Sequence, residues 1–585
     1  MRRRLRSGVF WSGCVLLAAA ASSTGGCGDG SGGTKTPAVA AGDPQAVWFK
    51  DTTSDAGIVF RHRNGNTGRK YLPEIMSGGA CALDFDVDGR VDLFLVQSGP
   101  VPGDPRANAV FGAVADRRSR LFRNTGGGVF VDVTETARIP DAPGYGCGAV
   151  SADYDNDGFP DIFIAALGRN TLLRNRGDGT FEDVTDAAKV GDAERWGSSA
   201  CFFDADDDGL LDLYVANYVD FTVPKHKDCG DPARGRFSYC HPDVYAPSPD
   251  VFFRNKGGGV FEDATAAFGF TETSGAGLGV VAADFDADGR TDVYVANDSN
   301  PSLLFCNLGG GKFSEIGAES GVAVDEDGKS QAGMGIAAGD VDADGDFDLF
   351  VTYLNQQANG LFLNGPREFT YASRTSGLFA PTFLMVGFGT DFFDAENDGD
   401  LDIFIANGHV LDDAEQVMDA SPFRQPCQLL LNDGRGKFVE VSRAEAGSVS
   451  VPRVGRGTVT LDYDDDGRLD QLVQNNDDDA RLFRNVRSPA GRWIKFDLQG
   501  TVKTRAAIGA RVTVEVDGRS QVGEKRAGGS YQCSHDPRLH FGLGLANVVS
   551  RVTIRWPGGA FQSAANLAPD RVYRWVEGRD PEPVR

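Results

Sequence analysis

The chain has 585 residues, of which 41% are hydrophobic and 10% aromatic, so it can bury several cores and is not disordered throughout. Its net charge is −25, with 83 acidic residues against 58 basic ones and no basic stripe. That balance argues against nucleic acid as a partner.

Taken in order, residues 1–27 read as an export signal. Arg2, Arg3, Arg4 and Arg6 precede a mostly apolar run, Val9 to Ala21, that is too short to span a bilayer. Thr24-Gly25-Gly26-Cys27 resembles a bacterial lipobox, with Thr where Leu is usual three residues before the cysteine. The prediction is a lipid on Cys27; an ordinary cleaved signal is the alternative. The chain is then exported to the bacterial cell envelope or the extracellular space, touching membrane only through that lipid. Residues 28–45 form a flexible linker. No later segment is long and apolar enough to cross a membrane.

Residues 46–487 are repeats built on a nine-residue acidic loop. It appears as DFDVDGRVD (84–92), DYDNDGFPD (153–161), DADDDGLLD (204–212), DFDADGRTD (284–292), DVDADGDFD (340–348), DAENDGDLD (394–402) and DYDDDGRLD (462–470). Positions 1, 3, 5 and 9 are acidic in each copy, and position 6 is Gly. Hard oxygen ligands at alternate positions, with a Gly for the sharp turn, suit calcium, and the spacing resembles the first half of an EF-hand loop with Asp replacing the distal Glu. Position 7 adds a backbone carbonyl. The predicted ligands of the first copy are Asp84, Asp86, Asp88, Arg90 (carbonyl) and Asp92. Those of the second are Asp153, Asp155, Asp157, Phe159 (carbonyl) and Asp161, and of the third Asp204, Asp206, Asp208, Leu210 (carbonyl) and Asp212. The fourth offers Asp284, Asp286, Asp288, Arg290 (carbonyl) and Asp292; the fifth offers Asp340, Asp342, Asp344, Asp346 (carbonyl) and Asp348. The sixth offers Asp394, Glu396, Asp398, Asp400 (carbonyl) and Asp402, its Glu396 standing where the others have Asp. The seventh offers Asp462, Asp464, Asp466, Arg468 (carbonyl) and Asp470. The expectation is up to seven calcium ions, and the loops hold 28 of the 83 acidic residues.

Around each loop the pattern predicts four short strands. A run of small residues leads in (GYGCGAVSAD), and an alternating strand follows (DLFLVQ, DLYVAN). A third strand reads LFRN or a variant and ends in a Gly-rich turn, and a fourth resembles GTFEDVT. Period-2 alternation and Gly-rich hairpins make each unit a four-stranded antiparallel sheet, and a ring of such sheets is a β-propeller. The last unit stops after LFRN (482–485), whereas WFKDTTSDAGIVF (48–60) carries the fourth-strand pattern at the front. An N-terminal strand completing the last sheet closes seven blades and leaves no free edge. The predicted fold is therefore all-β: a seven-bladed propeller with calcium loops, followed by a small β-sandwich-like domain.

These repeats resemble the FG-GAP or VCBS repeats of integrin-α-type propellers. GRWIKFDLQGTVKTRAAIGARVTV (491–514), LHFGLG (539–544) and VTIRWPGG (552–559) resemble the ASPIC/UnbV domain. Together they resemble the cartilage acidic protein-like family, with further matches at IVFRHRNG, NGHV (407–410) and YCHPDVY (239–245); His241 stands where that family more often has Gly. The resemblance implies an exported calcium-binding propeller with a small β-domain behind it and no settled activity. That domain, 488–580, has strand candidates WIKFDLQ, RVTVEV, SRVTIRW and VYRWVE.

Cys229 and Cys240 lie in one polar insertion and are predicted to form a disulfide, worth about 3 kcal/mol by chain entropy. Cys81, Cys147, Cys201 and Cys306 read as core residues, and the absence of C-x-x-C leaves zinc poorly supported. A site built from His62, His409 or His535 is weighed against single structural histidines, which are more common. GAGLGV (275–280) leads into a strand, so it is no dinucleotide fingerprint. No catalytic residue or organic cofactor site is assigned.

The leading functional expectation is a surface scaffold binding an unknown protein or glycan, on the face away from the acidic loops. There the connections 97–119, 218–250 and 408–426 are long, and Phe237, Tyr239 and Tyr245 are expected to form a contact surface. Gln97, Ala166, Asn217, Asn297, Tyr353, Asn407 and Asn475 end the second strands, giving either a polar rim there or simple strand caps. The alternative is an enzyme or biosynthetic accessory protein using the axial mouth of the ring as a pocket.

Overall fold

In a computed structural model, which describes residues 47–584 except 77, 107–116, 142–143, 232–234, 272–274, 418–420 and 489, the alternating runs are strands. The signal, Cys27 and the linker lie outside the described residues. In the second repeat, Tyr145–Ala152, Asp161–Leu167, Thr171–Asn175 and Phe181–Asp183 pair antiparallel in sequence order. The other repeats give six separate sheets of the same plan, the first of them extended by Cys533–Ser534 as a fifth strand parallel to Ala80–Leu83. In the third, the second and third strands are joined by 218–250, which carries its own hairpin of Cys229–Asp231 with Arg236–Ser238. The last sheet, Gly455–Leu461, Asp470–Asn475 and Arg481–Asn485, takes Phe49–Asp51 as its fourth strand, with Phe49 opposite Asn485.

The small residues of the first strands are explained by how closely those strands approach one another. A Cβ on Gly79 would lie 2.5 Å from the Cys147 carbonyl oxygen, and one on Gly148 would lie 2.7 Å from that of Ser198. The Ser198 hydroxyl donates to the Gly277 carbonyl at 2.7 Å. Gly279 meets Met334, Gly335 meets Phe388, Gly389 meets Arg456, and Gly457 meets Gly78, all at 2.6 Å or less. The succession of first strands thus returns to the sheet where it began. Apolar layers follow the same order. One holds Phe94 and Ile164 of the first and second sheets, another Phe163 and Leu213 of the second and third. The last holds Leu472 and Leu482 of the seventh sheet against Leu93 and Phe122 of the first. Truncating such a buried Phe to Ala costs about 3–5 kcal/mol.

The C-terminal region forms two further four-stranded sheets. One orders Leu539–Gly544, Arg492–Gln499, Arg571–Val576 and Glu582–Pro583; the other orders Arg519–Glu524, Arg511–Val516, Val549–Arg555 and Phe561–Leu567. They share a core of Phe496, Val512, Val514, Ile554, Trp556 and Trp575. The strands 519–524 and 561–567 escaped the sequence reading because RSQVGE and FQSAANL lack a clear apolar face; LHFGLG at 539–544, read there only as a family motif, does alternate, with Phe541 and Leu543 in the core. Among the described residues no helix is long and apolar enough to cross a membrane.

Candidate functional site

Each acidic loop is a turn wound around its own carboxylates. In the first, Asp84 accepts the N–H groups of Asp88 at 3.0 Å and Gly89 at 2.8 Å, and Asp88 accepts that of Arg90 at 2.9 Å. Asp92 divides its two oxygens between the N–H groups of Phe85 at 3.1 Å and Asn124 at 2.7 Å. The seventh loop repeats the whole scheme with Asp462, Asp466 and Asp470. Position 9 is therefore a backbone clamp, whatever else it binds, tying its loop to the third strand. Position 6 runs at φ of 85° to 99° in all seven copies, which is why it is Gly.

These turns aim carboxylates at a common point. One oxygen each from positions 1, 3 and 9 lie within 4.8 Å of one another in the first four loops, as do Asp340, Asp342 and Asp344 in the fifth. Asp153 and Asp284 are 5% and 2% exposed, and one oxygen of each has no hydrogen-bond partner. Burial, with neighbouring carboxylates adding to it against the pull of backbone donors, pushes Asp92, Asp292 and Asp348 up to about 8. Asp84, Asp153, Asp204 and Asp340 are pushed to about 6. Converging buried oxygens that resist ionisation form a donor set suited to a hard divalent cation.

The sequence reading missed the third strand's part in this. Arg123 bridges Asp86 and Asp88 at 2.5 and 3.2 Å, and Arg174 bridges Asp155 and Asp157 at 2.7 and 3.2 Å. Arg254 and Arg484 do the same in the third and seventh loops. The equivalent residues of the fourth, fifth and sixth sheets are Cys306, Leu363 and Leu431. The signal was present in LFRN against LFCN, LFLN and LLLN. Cys306 also corrects the core assignment: it is partly exposed, with Sγ 3.8 Å from Asp286. It sits on the loop-facing side of its strand, unlike buried Cys81, Cys147 and Cys201.

The FG-GAP-like repeat model matches residues 84–164, 153–215, 240–295 and 284–351, and the ASPIC and UnbV model matches 500–582. The chain is an FG-GAP repeat protein with an ASPIC and UnbV domain. It is similar to cartilage acidic protein 1 of Mus musculus, 24% identical over 84% of this chain and 72% of that protein. The Homo sapiens protein of that name is 25% identical, covering 84% and 70%. Among solved structures, an Agrocybe aegerita lectin that recognises non-reducing terminal N-acetylglucosamine covers 62% of this chain and 79% of its own, at 15% identity and a TM-score of 0.35.

The ASPIC and UnbV domain lies on the FG-GAP loops and meets them with cations. The Arg505 backbone N–H donates to the Asn156 side chain and its guanidinium to the carbonyl of Asp157 in the second loop, and Lys503 lies 3.4 Å from Asp207 in the third. Arg555 pairs with Asp284 at 2.5 Å, and Arg519 lies 3.7 Å from Asp400. In the seventh loop Lys495 binds Asp462, and Arg538 pairs with Asp465 at 3.2 Å. Burial alone would raise Asp462, but the Lys495 ammonium, helped by Arg538, holds it below the usual carboxylate range.

From this domain a strap, residues 527–533, runs between the first strands. Phe202 donates to the Ala527 carbonyl at 3.0 Å, Ala149 to that of Gln532 at 3.1 Å, and Ser530 to that of Ile336 at 2.9 Å. Tyr531 is fully buried against Phe388, with ring centroids 4.9 Å apart, and its hydroxyl donates to the Met76 carbonyl. The strap thus bonds to the first strands of the second, third and fifth sheets. A crevice of about 480 Å³ is lined in part by Gly528, Gly529 and Ser530 of the strap, and one of about 570 Å³ lies between the first two loops and the C-terminal domain.

At the opposite end stand the second-to-third connections. Cys229 and Cys240 are joined, with Cα atoms 5.3 Å apart. Only Phe237 of the three expected contact aromatics is exposed, at 43%. Tyr239 is buried and donates to Glu74 at 3.1 Å, and Tyr245 packs on Phe221, because the insertion folds back on its own core. The amides expected as a rim are buried caps: Asn217, Asn297, Asn407 and Asn475 donate to the carbonyls of Pro249, Pro301, Pro426 and Asp479. Ala166 and Tyr353 are buried too, and Gln97 spends its side chain on Arg61 and Arg63.

The three histidines do not act as one group. His62 hydrogen-bonds Ser98 and the Asp477 N–H, and burial, aided by Arg456, lowers it to about 3. His409 accepts from Leu411 and is lowered to about 4 by the same causes. His535 lies with the strap, accepting from Thr460 and facing Asp391 at 3.5 Å.

Proposed function

We propose that this protein is an exported, calcium-bound, seven-bladed propeller that presents a binding surface for a protein or glycan at the end away from its FG-GAP loops. The observation that carries the reading is the placement of the ASPIC and UnbV domain. It covers the acidic loops through Lys503, Arg505, Arg519 and Arg555, so the free end is the one bearing the long connections. The cyclic order of glycine contacts and apolar layers supports seven blades around one axis, with Phe49–Asp51 closing the last. The converging oxygens support calcium, which tolerates the irregular carboxylate-and-carbonyl sets that magnesium does not.

On this reading the insertion 218–250, pinned by Cys229–Cys240 and exposing Phe237 and Val244, is the recognition element. A lipid on Cys27 and the linker 28–45 hold it at the envelope. Deleting 226–243 should abolish capture of the native envelope partner while leaving the calcium-dependent melt intact. Capture that survives the deletion but is lost on changing the Gly-rich hairpins beside the loops would place recognition at the other end. Cys27→Ser should move the protein from the membrane fraction to the soluble one, and a wild type that is already soluble would point to an ordinary signal.

A further inference from the structure

In the seventh loop, as in the fourth where Arg555 pairs with Asp284, a cation of the C-terminal domain meets position 1, but here both partners are wholly buried. Lys495, from strand Arg492–Gln499, sends its ammonium onto the Asp462 carboxylate, and the two side chains are 1% and 0% exposed. Asp462 is position 1 of its loop, whose carboxylate would be the first ligand of an ion. Arg538 closes the same site from a second side, donating to the Asp462 carbonyl at 3.2 Å and pairing with Asp465. Trp493 completes the enclosure: its ring lies 5.1 Å from the ammonium, and a Cβ on Gly467 would collide with its indole nitrogen at 1.8 Å. His540 faces the Gly467 carbonyl at 3.0 Å. The fifth loop shows what the absence of these groups looks like. Among the described residues no Lys or Arg pairs with its five aspartates: Arg511 donates to the Gly345 carbonyl, and Arg511 and Arg526 lie over the Phe347 ring.

We propose that the seventh loop is a socket for Lys495 and not a calcium site, so that the C-terminal domain docks by supplying its own cation. This rests on the reading of the other loops as calcium sites. A buried ammonium needs a carboxylate partner, and a divalent ion on Asp462 would take that partner away. It would also set like charges side by side in a space closed to water. The strand fixes the lysine in place, since its neighbours Ile494 and Phe496 are core residues of the C-terminal domain. Loop and lysine therefore serve as a latch between the two parts of the chain, and this loop keeps the acidic spacing without holding the ion.

The test counts metal on the full chain. After loading with calcium and desalting, Lys495→Met should hold one more ion per chain than the parent, and Asp462→Asn in the parent should leave the count unchanged. Terbium locates the change: Lys495→Met should gain sensitised emission that a further Trp493→Phe removes, because Trp493 borders the loop. A parent that loses one ion on Asp462→Asn overturns the proposal, as does a Lys495→Met chain with an unaltered count and no new emission. If the parent holds no ion while Lys495→Met holds one, the proposal stands and the wider calcium reading fails. If neither holds any, both fail. Should Lys495→Met not fold, Asp462→Asn in the parent decides alone.

Discussion

DVDADGDFD at 340–348 and DYDDDGRLD at 462–470 each bring five aspartates into one turn with the same backbone clamps. Around the seventh loop stand Arg468, Arg484, Lys495 and Arg538, each paired with one of its carboxylates or more. The fifth has no such partner among the described residues, because its third strand offers Leu363 and the C-terminal domain meets it at the Gly345 carbonyl and the Phe347 ring, not at a carboxylate. Two loops with one spacing thus end at opposite extremes of charge balance. A motif fixes where carboxylates point; the neighbours decide whether a cation is still needed there.

The largest effect that would break this comparison is chelation. A site held at about a hundred times its dissociation constant contributes about 2.7 kcal/mol, so removing calcium from several loops should lower the melting temperature by more than about 5 °C. An unchanged midpoint in differential scanning calorimetry would mean that the loops are neutralised from within, as the seventh is. Next comes Asp340→Asn in the fifth loop. It should remove one bound ion and cost about 2–3 kcal/mol in calcium, measured by denaturant unfolding, yet cost little in chelator, where it relieves repulsion.

Leu363→Arg sharpens the contrast by giving the fifth loop the guanidinium that Arg123, Arg174, Arg254 and Arg484 provide elsewhere. Its calcium affinity should fall about tenfold, or about 1.4 kcal/mol, in a calorimetric titration, while the chelated protein gains stability. The smallest effect belongs to Lys503→Ala. Its pair with Asp207 is partly exposed, so the cap should loosen by about 0.5 kcal/mol or less in hydrogen exchange. A loss of more than about 2 kcal/mol would show that solvent exposure does not weaken this contact.

Much of this molecule was legible in its sequence. Period-2 strands, the LFRN third strand, the Asp-Gly spacing and the displaced fourth strand at 48–60 are local patterns, and local backbone chemistry is enough to fix them. Gly at position 6 announces its left-handed turn, and an acidic position 9 announces a carboxylate, though not that both oxygens clamp backbone N–H groups. What the tertiary structure alone decided depends on groups far apart in the chain. Tyr239 and Tyr245 look like surface aromatics in a polar insertion, and become buried because Glu74 and Phe221 lie beneath them. GGSYQC at 528–533 gives no sign that it threads between first strands some 130 to 450 residues away. Lys495 is one lysine in WIKFDLQ, 33 residues from the aspartate it meets. Strand alternation says on which face of its own sheet such a side chain stands, but which loop that face covers is set by packing two domains together, and that has no local code.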